Sequence, residues 1–197
     1  MRMLDLFSGL GGASEAMVEA GWDVMRFENN QLLEDVPHTF IHDLMQEPLN
    51  LNTHWLQPDL IWASPPCVEF SDGYSSPKSI AQREGVKYEP DMSLVQKSVE
   101  IIKEYRPKYW VIENVRGAQP FFEDLLGKPN QIIGSAYLWG KFPNITVPAD
   151  WKMPSKYEND SWSSDPLRAN KRAKIPIEIS RALRLACETQ TTLQRWA

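Results

Sequence analysis

Apolar residues in this chain come in short runs, and the residues that stop each run differ in kind. Residues 3–7, MLDLF, run directly into SGLGG, a pattern that predicts a strand feeding a tight glycine turn. Ala13, Ala16, Met17 and Ala20 follow at the spacing of one helix face, and Gly21 stands where that helix should end. Further strands are predicted over 23–28 (DVMRFE), 60–63 (LIWA), 109–113 (YWVIE) and 131–140 (QIIGSAYLWG). A helix over 92–105 carries Val95, Val99 and Ile102 on one face, with Pro107 beyond it as a stop signal. From 141 to 175 the period is lost among Pro, Trp, Lys, Asn and Ser, which predicts an irregular flap. Residues 175–188 regain a helical period, with Pro176 in the first turn and Ile179, Ala182, Leu183 and Ala186 facing inward.

Strands alternating with helices predict an α/β fold, a doubly wound parallel sheet with helices on both faces. The expected organisation is a main α/β domain over 1–140, an irregular flap or reduced recognition element over 141–174, and a C-terminal helix over 175–197 packed on the main domain. In such sheets ligands bind outside the carboxyl ends of the strands. The turn at 8–12, Glu28, Cys67 and Glu113 all fall at predicted strand ends, so one rim should carry all of them.

Composition narrows the partners. The chain has 197 residues, 42% hydrophobic and 24% charged, with a net charge of -5. That balance argues against strong unaided binding to nucleic acid, which usually needs a basic face. The stretch 166–184 is a local exception, with six Lys/Arg and one Glu. The two cysteines, Cys67 and Cys187, form no C-x-x-C pair, so neither a disulfide framework nor a zinc ribbon is readable. No run resembles a signal peptide or approaches the roughly 20 apolar residues of a membrane helix, and the expected location is the cytoplasm.

The stretch DLIWASPPCVEFS, 59–71, carries the sharpest chemistry. Two prolines fix φ and remove two donors, so no ladder continues through them. The chain must leave the strand stiffly, with Cys67 presented at the exit. A nucleophilic thiol needs access and a lowered pKa; the alternative is a buried cysteine acting as a small hydrophobe. The FSGLGG turn lets backbone approach a ligand closely. It is not G-x-G-x-x-G, because Ser14 stands where the third glycine belongs, and no Lys follows to make a P-loop. A plain βα turn is an equal reading of it. Glu28, about twenty residues on, is placed to accept both hydroxyls of a ribose, or else is a solvated carboxylate. Asp43 of HDL offers an acceptor to an exocyclic amine, and Leu44 an apolar face. Glu113 of ENV could bind a ring nitrogen and an amino group together, or cap a helix. His38 and His42 lie four apart, but no third ligand has a suitable spacing, so no metal site is expected.

Taken in order, DLFSGLGG, FEN, HDL, PPCVEFS and ENV resemble the motifs of the cytosine-C5 DNA methyltransferase family, over roughly residues 3 to 117. The resemblance implies a Rossmann-like doubly wound sheet of the S-adenosylmethionine-dependent methyltransferase type, with that molecule as cofactor. By this likeness Phe7 stacks on the adenine, and Ser8, Gly9, Gly11 and Gly12 line the methionine end. Glu28, with Asn29 beside it, holds the ribose, Asp43 and Leu44 the adenine edge, and Pro66 and Leu94 complete the pocket. It also implies the reaction: Cys67 adds to C6 of a cytosine flipped out of double-stranded DNA, Glu113 binds N3 and the 4-amino group, and C5 takes the methyl. The loop 70–91, with Gly73 and Gly85, is the expected lid.

The chain departs from the family pattern at several points. Val68 follows the cysteine where the family has Gln. No Arg pair lies past the ENV strand; Lys141 is the nearest substitute. The long target-recognition region is missing, since only about thirty residues separate GKF from IPIEIS. Low selectivity, or a second chain supplying specificity, is therefore expected, in a compact enzyme of phage or restriction-modification type. RNA or a free cytosine nucleotide as substrate, and a degenerate binder of cofactor or DNA, remain alternatives. Amino-methylation of adenine is disfavoured, because Ser64 and Cys67 flank the prolines where those enzymes carry Asn or Asp and an aromatic.

Overall fold

The structure, a computed structural model, describes residues 1–155 and 164–195, with side chains as far as residue 190. The middle of the expected 141–174 flap and the last two positions of the expected 175–197 segment lie outside the described residues. Seven strands form one sheet: β1 (Arg2–Leu6), β2 (Asp23–Glu28), β3 (Thr39–Ile41), β4 (Leu60–Ala63), β5 (Tyr109–Asn114), β6 (Gln131–Ile133) and β7 (Ala136–Lys141). Their order is β3-β2-β1-β4-β5-β7-β6. Strands β1 to β5 pair in parallel, β7 runs antiparallel to β5, and β6 antiparallel to β7. The expected Rossmann-like doubly wound sheet is therefore present, with an antiparallel hairpin at one edge.

That hairpin corrects one expectation. Residues 131–140 are not a single strand, because Ile133 pairs with Ala136 across a two-residue loop, Gly134-Ser135. Gly134 has φ of +59°, the left-handed backbone such tight hairpins require and glycine supplies most cheaply. The short edge strand β3 was not legible either, since three residues carry too little alternation to read.

Both faces of the sheet are covered, which explains the near-continuous apolar runs. Met3, Leu60, Trp62, Val111 and Leu138 point to one face and pack with Ala16 and Met17 of helix α1 (Glu15–Glu19) and Ile179 and Leu183 of helix α6 (Ile177–Arg195). Leu4, Leu6, Ile61, Ala63, Ile112 and Trp139 point to the other. They pack with Val95 and Ile102 of α3 (Ser93–Tyr105) and Phe122 of α4 (Gln119–Leu126). Three helices have no counterpart in the expected pattern: α4 itself, α2 (Pro77–Glu84), inside the expected loop 70–91, and α5 (Arg168–Ala173), inside the expected flap. The signals for α2 are plain: Ser76 caps it by accepting from Ser79 N, Pro77 opens it, and Gly85 closes it at φ of +69°.

The first and last helices are joined by a buried hydroxyl. Ser14, at the start of α1, makes no side-chain cap to its own helix. The orphan N–H of Ala16 donates instead to Ser180 Oγ at 3.1 Å, and that hydroxyl donates to Ala13 O at 2.7 Å. Trp22 Nε1 also donates to Glu188 at 2.9 Å. Replacing Ser180 by Ala strands a buried donor and a buried acceptor, and should lower unfolding stability by about 1–3 kcal/mol. Urea unfolding of the variant checks this; an unchanged midpoint contradicts the role given to the hydroxyl.

Candidate active site

A cavity of about 900 Å³ opens at the carboxyl ends of β1, β2, β4 and β5, large enough for a small-molecule ligand. β1 lies between β2 and β4 in the sheet, so the chain turns opposite ways on either side of it. A crevice at that switch point follows from the topology. From the β1 exit the cavity is lined by Phe7, Ser8, Gly9 and Gly12, and from the β2 exit by Glu28 and Asn29. Asp43 and Leu44, then Pro66 and Cys67, then Leu94 and Glu113 complete the positions expected from the sequence.

The turn after β1 departs from ordinary backbone at its first residue. Phe7 has φ of +57°, an uncommon conformation for a bulky side chain and a local strain. Ser8 N donates to Phe27 O at 3.1 Å and Gly11 N to Ser8 O at 2.8 Å, which hold the turn closed. Gly11 faces away from the cavity lining, toward Arg26. A side chain there would meet the Arg26 guanidinium at 2.3 Å, so glycine is required by what lies beneath the turn. Gly12 is required by what lies above: a Cβ would fall 2.4 Å from Ile175 O. Ser8 Oγ is buried and finds no hydrogen-bond partner among the described residues.

Beneath the turn is a buried chain of polar groups. Arg26 donates from Nε to Ser14 Oγ (2.8 Å), from Nη2 to Gly11 O (3.0 Å) and from Nη1 to Pro37 O (2.8 Å). Ser14 Oγ donates in turn to Asp5 Oδ2 at 2.6 Å. This is the work of the residue that replaces the third glycine. Burial pushes the Asp5 carboxyl up to about 7, against the opposing pull of Ser14 and the Arg26 charge. Burial also lowers the Arg26 value, offset by Asp5 and Glu15. Asp5 itself lines the cavity and was not singled out from the sequence, where it reads as one polar residue inside an apolar run.

Glu28 is tied into the same turn. Its Oε2 accepts from Gly9 N at 2.8 Å, and its Oε1 from Asn29 N at 3.0 Å and Asn30 N at 3.1 Å. Asp43 Oδ1 accepts from Met45 N at 2.9 Å, which orients the short turn that carries Leu44.

The Pro65-Pro66-Cys67 exit is fastened from the next strand. Asn114, buried at the end of β5, donates from Nδ2 to Pro65 O at 2.9 Å, and its Oδ1 accepts from Val115 N. Ala63 pairs with Ile112, so the exit of β4 lies beside the end of β5 that bears Glu113. Cys67 O then accepts from Phe70 N and Ser71 N, closing a turn. Cys67 is half-buried, whereas Cys187 is fully buried and its thiol is pushed up to about 12, chiefly by burial. Lys141 is a correction: it pairs with Trp110, at the start of β5, while Glu113 pairs with Leu138. An antiparallel partner carries Lys141 away from the rim, and it does not line the cavity. The segment 70–91 is also firmer than a glycine-hinged loop. Lys78 Nζ, on α2, reaches Asp72 at 2.8 Å and Gly117 O at 3.2 Å.

The opposite wall is made by α1 and by residues 169–178, which the sequence showed only as a basic stretch. Its charges are largely met within the chain: Lys171 pairs with Asp165 (2.5 Å), Lys174 with Glu15 (2.8 Å), Arg181 with Glu19 (3.2 Å) and Arg184 with Glu188 (2.6 Å). The stretch is thus a strap across the glycine turn more than a free basic face. Among the described residues no group of three His, Cys, Asp or Glu side chains could hold a metal ion, and no helix is long and apolar enough to cross a membrane.

Residues 1–121 match the family model described as C-5 cytosine-specific DNA methylase. Among curated proteins the chain is 29% identical over 147 residues to the type II methyltransferase M.HindV of Haemophilus influenzae, covering 70% of this chain and 44% of that protein. It is 31% identical over 121 residues to M.AplI of Arthrospira platensis (58% and 31%). It is 25% identical over 128 residues to M.HgiGI of Herpetosiphon aurantiacus (60% and 94%). The chain spans less than half the length of the first two relatives.

The raised Asp5 value carries a pH dependence with a definite sign. An ordinary unfolded aspartate titrates near 3.9, and the folded group near 7. The folded state therefore holds the proton more tightly, and stability is lost as pH rises through that window. The melting temperature should fall by several degrees between pH 5 and 8, and Asp5→Asn should flatten much of that slope. Thermal melts of both proteins decide it; parallel slopes remove Asp5 as the cause.

Proposed function

The chain belongs to the C-5 cytosine-specific DNA methylase family, and from that premise we propose that it transfers a methyl group from S-adenosylmethionine to C5 of cytosine in DNA. The observation that supports this most is the shared cavity: Cys67 and Glu113 line it together with the glycine turn and Glu28. A cofactor and a pyrimidine need adjoining space, and one rim offers it.

The residues present fit the cofactor on their own chemistry. Ser8 Oγ is a buried polar atom awaiting a partner. Glu28 Oε2 has acceptor capacity left for one ribose hydroxyl after the three backbone bonds to the carboxylate. Phe7 is strained into the cavity wall, where its ring can stack on a base. Ser8, Gly9 and Gly12 would hold the methionine side, Glu28 and Asn29 the ribose, and Asp43, Leu44, Pro66 and Leu94 the adenine. When bound, S-adenosylmethionine supplies an electrophilic methyl group.

The protein's own part is to make C5 a nucleophile. Cytosine C5 attacks poorly until a thiolate adds at C6, which turns C4–C5 into an enamine. Cys67 is the group proposed to add, as its thiolate. Glu113 is proposed to donate a carboxyl proton to N3, where negative charge develops as the thiolate adds, while its other oxygen accepts from the 4-amino group. After C5 has taken the methyl, a base or water removes the C5 proton, the C6–S bond breaks, and Cys67 leaves as thiolate. The target base has to leave the duplex stack to reach the cavity. Sequence selectivity is proposed to be low or supplied by a second chain, because the described residues between β7 and α6 make a strap over the cofactor side.

The purified chain with labelled cofactor and duplex DNA should yield 5-methylcytosine, and Cys67→Ser should reduce the rate by at least about a thousandfold. DNA carrying 5-fluorocytosine should trap a covalent adduct that peptide mapping places on Cys67, since fluorine cannot leave as a proton does. Full activity of Cys67→Ser overturns the chemistry. Product on RNA or on a free nucleotide, with none on DNA, keeps the chemistry and replaces the substrate.

A further inference from the structure

The cavity has two chemically different ends. Around Glu28, Asp43 and Leu44 it presents acceptors and an apolar face; across the glycine turn it presents paired charges. At that second end the strap lies directly on the turn. A Cβ on Gly12 would fall 2.8 Å from Ile175 N and 2.8 Å from Lys174 Cγ, so the Lys174 side chain runs over Gly12. It ends at Glu15, with Nζ 2.8 Å from Oε2, and both residues line the cavity. Their side chains are 39% and 38% exposed; Glu15 Oε2 itself is buried, so a ligand would reach the pair from Lys174 and the other Glu15 oxygen.

Resting on the cofactor reading above, we propose that the Lys174–Glu15 ion pair recognises the zwitterionic amino-acid end of the cofactor, with Lys174 taking the α-carboxylate and Glu15 the α-ammonium. A zwitterion laid beside such a pair gives each of its charges an opposite neighbour and leaves neither protein group bare. A neutral or singly charged end cannot do this without leaving one group unmatched. The other acid–base pair on this wall, Arg181–Glu19, is one helical turn farther along α1 from Gly12 and more exposed, at 54% and 52%. Lys171 is already engaged by Asp165 at 2.5 Å. The assignment therefore falls on the pair that overlies the turn itself.

Calorimetric binding of two ligands to the full chain tests this: S-adenosylhomocysteine, which has the zwitterion, and 5′-methylthioadenosine, which keeps the adenosine and lacks the amino acid. Lys174→Met and Glu15→Gln should each weaken S-adenosylhomocysteine about tenfold, the scale of one charge-assisted contact. Both should leave 5′-methylthioadenosine unchanged, which also shows that the variants are folded. Lys174→Arg, which keeps the charge, should restore most of the affinity. Equal losses for both ligands, or no loss for either, overturn the proposal while the cofactor reading stands. A wild-type chain that binds neither ligand overturns the cofactor reading, and this inference with it.

Discussion

The constraint on which the rest of the site depends is the filling of the space under the glycine turn by Arg26. A guanidinium buried in a protein is costly unless every donor direction is met. Here each of the three nitrogens donates once, to Ser14 Oγ and the carbonyls of Gly11 and Pro37, which offsets much of that cost. Because Arg26 occupies that space and Gly11 sits at φ of +71°, a side chain at residue 11 would strain the backbone and push the bonded guanidinium aside. Because the turn is thereby fixed, Gly9 N points at Glu28 and Gly12 lies under Ile175. Glu28, the turn and the strap all meet around this one buried cation.

The same arrangement shows how a cavity wall can tolerate strain and buried charge. Phe7 is held at positive φ, and Asp5 is held where burial favours its protonated form. Asp5 lies near the end of β1 and Phe7 just past it, at the switch point of the sheet. Rigid neighbours make this possible, since β1 is paired on both sides and covered on both faces. Strained or desolvated groups concentrate where surrounding structure overdetermines them.

Much of this was legible in the chain. Strands β1, β2, β4 and β5 and helix α3 follow from apolar runs and helical spacing, and their order predicts that Glu28, Cys67 and Glu113 share a rim. The β6–β7 hairpin was missed although Gly134-Ser135 is a turn signal, because the apolar runs on either side merge when read without register. α2 was missed although Ser76, Pro77 and Gly85 mark both its ends, because its side chains carry little apolar period. Lys141 was misplaced for the same reason as the hairpin: the direction of β7 decides which end of β5 it reaches, and direction is a property of pairing.

What the sequence by itself determined is the set of groups delivered to the carboxyl edge of a parallel sheet, because strand direction and short βα turns leave those groups nowhere else to go. What only the tertiary structure decided is which distant segments close over them. Ser180 satisfies Ala16 from 164 positions away, Asn114 fastens Pro65 from 49, and Lys174 crosses Gly12 to reach Glu15. Such contacts depend on how helices and straps pack in three dimensions, and no local period or spacing encodes them.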